Sequence, residues 1–146
     1  MKLTTNFQLQ EFVHPVIYEK LGKRCQTILC PTLALTWQAI RDKVVEIYPE
    51  EQITINDWIW GGEFVDSGVR LPHGVVGAKY SMHKFGNAAD GKFKISKPVH
   101  VQQMILRHPE KFPYITRMED ARVTKTWLHI EISPTHRVGD IKVFKP

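Results

Sequence analysis

The stretch Thr126 to Ile132, TWLHIEI, admits few structures. Successive side chains of an extended strand point to opposite faces of the sheet. Leu128, Ile130 and Ile132 then share one face, which is uniformly aliphatic and belongs to a core. Trp127, His129 and Glu131 share the other. A strand divided in this way has a core behind it and a cleft in front, so the polar set faces the cleft.

A second stretch supplies further groups for such a cleft. Ser81 to Asp90 reads SMHKFGNAAD and carries His83 and Asp90, seven residues apart. It runs into a predicted strand from Ala88 to Ile95. There Asp90 and Lys92 share a face, while Ala89, Phe93 and Ile95 fall on or near the buried side and Gly91 blurs the pattern. Gly86 and the two alanines leave room for close backbone approach around His83. Two adjacent strands presenting Asp90 and His129, with His83 from the preceding turn, make a three-ligand site. Two imidazoles and one carboxylate are the set a catalytic zinc uses when its fourth position is left for water. Spacing alone fits this site and fits equally well three polar side chains with unrelated local partners. His14, His100, His108 and His136 read as ordinary surface or core residues, and His73, inside a glycine-rich loop, is left open.

The remaining pattern sets the fold class. Phe7 and Leu9 suggest a short extended piece, followed by a helix that closes at Gly22 and is interrupted near Pro15. From Pro31 to Tyr48, Leu33, Trp37, Ile40, Val44 and Ile47 recur at helical spacing, and Pro49 ends the run. ITIND (Ile53 to Asp57) alternates and reads as a strand. Trp58 to Tyr80 is a long glycine-rich loop, the kind that usually carries function. A helix is expected from Ser96 or Pro98 to His108, then strands over Tyr114 to Met118, Thr126 to Ile132 and Ile141 to Phe144. Helices first and then strands with one helix inserted predict an α+β fold, a small antiparallel sheet with helices packed on one side.

The 146 residues suit one domain spanning 1–146, and 42% hydrophobic with 24% charged residues is ordinary globular composition. No apolar run is long enough to span a bilayer, so no membrane insertion is expected. The N-terminus lacks a signal-peptide core, which predicts a cytoplasmic protein, in a host cytoplasm if viral. In that compartment Cys25 and Cys30 are expected to be reduced and structural. The net charge of +5 favours anionic partners. The basic residues are scattered, which speaks against nucleic acid. Lys79, Lys84, Lys92 and Lys94 fall near the candidate ligands as a solvated face or as a positive rim for an anionic ligand.

SMHKFGNAAD resembles the S-x-H-x-x-G-x-A-x-D signature of the zinc D-Ala-D-Ala carboxypeptidases and L-alanyl-D-glutamate endopeptidases, whose fold is shared with Hedgehog signalling domains. WLHIE resembles their second signature, a hydrophobic-His-hydrophobic-acid strand. QAIRDKV (Gln38 to Val44), ITIND and VVGAKYS (Val75 to Ser81) resemble the flanking helix, first core strand and approach to the first histidine. The likeness covers most of residues 31–132 in order, and small bacteriophage members look most similar. It implies a monomeric zinc peptidase acting on peptidoglycan peptides, with His83, Asp90 and His129 as the metal ligands.

Two positions depart from the family pattern. The family commonly places a carboxylate general base three residues before the last histidine, where this chain has Thr126. Asp120, Glu119 and Glu131 are the substitutes, Glu131 doubling as a supporting hydrogen-bond partner of the site. The family often has Ser-Gly-Tyr-Arg after its first core strand. Here Asp57-Trp58-Ile59-Trp60 stands there, with Trp60 in place of the arginine. Arg70 is the candidate replacement for holding a substrate carboxylate, alongside Ser81, Trp60 and Trp127 as substrate contacts. The alternative is a catalytically impaired member that binds an anionic small ligand or a partner through the same pocket.

Overall fold

The computed structural model describes residues 1–135 and 139–146. The expectation for His136 lies outside the described residues. The first helix, α1 (Pro15–Leu21), opens with Pro15 in its first turn, and the His14 ring accepts from the Val16 N–H. Proline therefore starts this helix and does not interrupt it, because no hydrogen bond is required of the first backbone nitrogens. Gly22 ends it at a φ of +54°.

α2 (Pro31–Val45) buries Leu33, Trp37, Ile40 and Val44 along the expected stripe. It stops three residues short of Tyr48, where Ile47 and Tyr48 both donate to the Val44 carbonyl in a closing turn ahead of Pro49. Ile47 is consequently 64% exposed and takes no part in the core. β1 (Ile53–Thr54) is shorter than ITIND suggests. The Ile55 carbonyl accepts from Lys92 Nζ and the Asn56 N–H donates to Glu11, which draws the chain out of the sheet.

The other elements are β2 (Ala88–Phe93), α3 (Pro98–Arg107), β3 (Ile115–Glu119), β4 (Leu128–Ile132) and β5 (Lys142–Phe144). The strands form one sheet in the order β1-β2-β4-β3-β5. The expected antiparallel pairing holds from β1 to β3, whereas β5 runs parallel to β3. The sheet is therefore mixed. β4 leaves the sheet at the end where β3 begins, so a strand entering there beyond β3 runs in the direction of β3. Ile95, expected near the core, is 45% exposed. The buried Glu51 carboxylate accepts from the Ile95 and Ser96 N–H groups and turns the chain out after Phe93.

Register fixes the two faces. Ala89 pairs with Ile130 and Gly91 with Leu128 on the core side, while Asp90 pairs with His129 and Ala88 with Glu131 on the other. α2 and α3 belong to the core side, where the Trp37 ring lies over Gly91 so closely that a Cβ there would come within 2.3 Å of it. The loop after β1 covers the opposite face. It is pinned to the N-terminal segment by Val69 N–H to Phe12 O (2.7 Å), His14 N–H to Val69 O (3.0 Å) and the buried Asn56 amide, which accepts from Ser67 N–H (2.9 Å) and donates to Val13 O (3.3 Å). No helix among the described residues is long and apolar enough to cross a membrane.

Candidate metal centre

His83, Asp90 and His129 converge on the face away from the helices, and all three are buried. Asp90 Oδ1 lies 2.7 Å from His129 Nδ1 and 3.3 Å from His83 Nε2, and the two ring nitrogens are 3.2 Å apart. These separations are close to the edges of a tetrahedron, about 3.3 Å for ligand bonds of about 2.0 Å.

The remaining ring nitrogens are held so that the converging ones can carry lone pairs. His83 Nδ1 donates to the Gly68 carbonyl at 2.8 Å. That carbonyl is fixed by the pinned loop, and only glycine fits, since a Cβ would sit 2.3 Å from the Phe12 oxygen. His129 Nε2 faces Glu131 Oε1 at 3.4 Å, with Glu131 two residues along the same strand face. Asp90 Oδ2 accepts from Arg70 Nη2 at 2.9 Å, which leaves Oδ1 for the cluster. Burial opposes the Asp90 charge, but hydrogen bonds and charge from His129 and His83 prevail and hold its carboxyl well below the usual carboxylate range. Burial also pulls the His129 imidazole down, and hydrogen bonds to Asp90 and Glu131 outweigh it, raising the group to about 9. Donor set, spacing and outward hydrogen bonds fit a divalent cation.

A cavity of about 540 Å³ opens over the cluster, and Arg70, Ser81, Glu119, Trp127 and Glu131 line it as the sequence suggested. Asp120 and Trp60 do not line it. The Asp120 carboxylate is clamped by Arg122, at 2.9 Å to Nε and 2.7 Å to Nη2, and Trp60 is 61% exposed on a short 3-10 turn. Arg70 lines the cavity but is tied down by Asp90 and by the Asp66 carbonyl, to which its Nε donates at 2.6 Å. Three of the four lysines are also engaged, Lys79 over the Tyr80 ring at 5.3 Å. Lys84 donates to Gly74 O (3.1 Å), and Lys92 bonds Ile55 O (2.9 Å) and Ser67 Oγ beneath the Phe64 ring. Burial lowers the Lys92 amine to about 8 against the raising effect of Asp90 and Asp57.

Arg117 and Phe144, which line the cavity, and the Gly68 carbonyl that holds His83 went unremarked in the sequence. Strand parity could have found the first, because Arg117 shares its face of β3 with Glu119. Nothing in the residue pattern marks a particular carbonyl. Comparison of the chain with family models, curated proteins and solved structures finds no match.

Proposed function

We propose that the chain is a zinc-dependent peptidase that hydrolyses peptide bonds in peptidoglycan stem peptides, of the carboxypeptidase and endopeptidase type that SMHKFGNAAD and WLHIE resemble. The observation that carries the proposal is the meeting of His83 Nε2, Asp90 Oδ1 and His129 Nδ1 at 2.7–3.3 Å beneath an open cavity. Zinc, when bound, supplies Lewis acidity that polarises the scissile carbonyl and acidifies water.

The chain's own residues supply the proton transfers. Glu119 is the acid best placed to act as general base: it lines the cavity, and its carboxylate has no hydrogen-bond partner among the described residues. It takes a proton from the attacking water and returns it to the leaving amine. Asp120 is held by Arg122 outside the cavity, and Glu131 is engaged with His129 and Arg117. Trp127 and Ser81 form walls for the peptide.

Incubating the zinc-loaded protein with muropeptides and following newly released amines tests the reading. Turnover is expected, with Glu119→Gln lowering kcat by about 10²- to 10⁴-fold while retaining zinc, and Asp120→Asn staying within a few-fold of wild type. Equal rates for the two variants would remove Glu119 from the role. Thr126 at the family's base position favours a second reading, a ligand-binding module, and zinc bound without turnover on any muropeptide would select it.

A further inference from the structure

We propose that the loop from Pro72 to Phe85 docks the protein on an anionic lipid surface, with the metal cavity beside the contact. The loop carries large apolar side chains that the core does not take up. Val75 is 98% exposed, Tyr80 72% and Phe85 57%, and Val76 is exposed beside them. Val75, Tyr80 and Phe85 line one hollow of about 660 Å³, so they make a patch and are not scattered exposures.

The charge of the patch has one sign. Lys79 and Lys84 line the same hollow and no acid does, and the sequence holds no Asp or Glu between Asp66 and Asp90. Lys79 Nζ lies 5.3 Å from the centre of the Tyr80 ring, and Lys84 Nζ donates to the Gly74 carbonyl at 3.1 Å, which holds both amines at the patch. The loop is shaped by its own bonds. Gly74 N–H donates to Leu71 O (3.0 Å), Ser81 N–H donates to Ala78 O (3.0 Å), and Gly77 turns the chain at a φ of +77°. Little ordering is therefore left for binding to impose.

This composition selects the partner. Aliphatic and aromatic side chains next to amines, with no carboxylate among them, match the boundary between acyl chains and anionic headgroups. Tyr80 brings the amphipathic ring that suits that depth. A nucleic-acid strand stacks its bases on flat rings, and Val75, the most exposed of these side chains, offers none. Gly77 and Tyr80 also line the metal cavity, so docking brings its mouth to the level of the headgroups. The proposal uses no metal and no catalytic step, so vesicle binding and muropeptide turnover stand or fall separately.

Co-sedimentation of the full chain with sucrose-loaded vesicles tests this, one set of equal parts phosphatidylglycerol and phosphatidylcholine and one of phosphatidylcholine alone. The mixed vesicles are expected to bind about tenfold or more tightly, because two lysines contribute and each is worth about fivefold. Val75→Ser should lower binding to the mixed vesicles about tenfold and Lys79→Gln about fivefold. Lys97→Gln, the same charge change at the start of α3 on the helix side of the sheet, should stay within about twofold of wild type. Circular dichroism should show all three variants folded, since each side chain is exposed. No binding to the mixed vesicles, equal binding to both sets, or equal losses in Lys79→Gln and Lys97→Gln overturns the proposal. Retention on peptidoglycan sacculi but not on vesicles, lost in Val75→Ser, also overturns it and assigns the patch to the polymer.

Discussion

At the scale of single residues, two carboxylates of the site divide their oxygens between neighbours. Asp90 turns one oxygen to two imidazoles and the other to Arg70, and Glu131 turns one oxygen to His129 and the other toward Arg117. Glu131 thus orients His129 without itself belonging to the three. Replacing it with alanine should weaken zinc binding about 10- to 100-fold with the fold intact, as measured by competition with a chromophoric chelator. An unchanged affinity would show that the 3.4 Å contact to His129 orients nothing. The three converging side chains were legible because strand parity places His129 opposite the aliphatic face and because the stretch that resembles a family signature contains His83 and Asp90. The choice among Glu119, Asp120 and Glu131 was not legible. It depends on which carboxylate a neighbour occupies, and the clamp of Arg122 on Asp120 is two residues away in sequence but is a matter of rotamer, not of pattern.

At the scale of elements, the site is as good as the register of β2 against β4, since Asp90 and His129 are a directly opposed pair. That register is backed by α2. Gly91, which looked like a break in the alternation of β2, is where the Trp37 ring comes nearest. Gly91→Ala should overpack this contact and destabilise the protein by about 1–3 kcal/mol, read as a lower urea midpoint with an unchanged slope. Wild-type stability in that variant would mean that Trp37 moves aside freely. The helices and most strands were legible from periodicity and from prolines and glycines at their ends. The two-residue β1 was not, because Ile55 and Asn56 are drawn away by partners distant in the chain, Lys92 and Glu11. The direction of β5 was not either, since parallel pairing follows from where the chain re-enters the sheet and leaves no trace in the residues themselves.

At the scale of the whole molecule, the N-terminal segment supports the loop that supports His83, and a buried acid lies within that support. Glu11 is 3% exposed. Burial raises its carboxyl from an ordinary 4.5 to about 7, against the lowering effect of the Gln8 N–H that it accepts at 2.7 Å. Between those two values this group binds more protons in the folded chain than in the unfolded one, so its contribution to stability is full below 4.5 and is lost as pH rises through about 7. The loss attributable to this group is about 3 kcal/mol. Glu11→Gln keeps the acceptor and removes the charge, and should flatten that part of the stability-versus-pH curve. Parallel curves for the two proteins, from urea unfolding between pH 4 and pH 8, would show that Glu11 is not the source.

Everything proposed for catalysis depends on a cation held by His83, Asp90 and His129. The most direct test is the zinc content of the purified chain, by inductively coupled plasma mass spectrometry after dialysis against a limited excess of zinc, beside His83→Ala and His129→Ala. The account predicts about one zinc per wild-type chain and a small fraction of that in either variant, with circular dichroism showing that both remain folded. A wild-type protein that retains no zinc, or variants that retain as much as wild type, would contradict it.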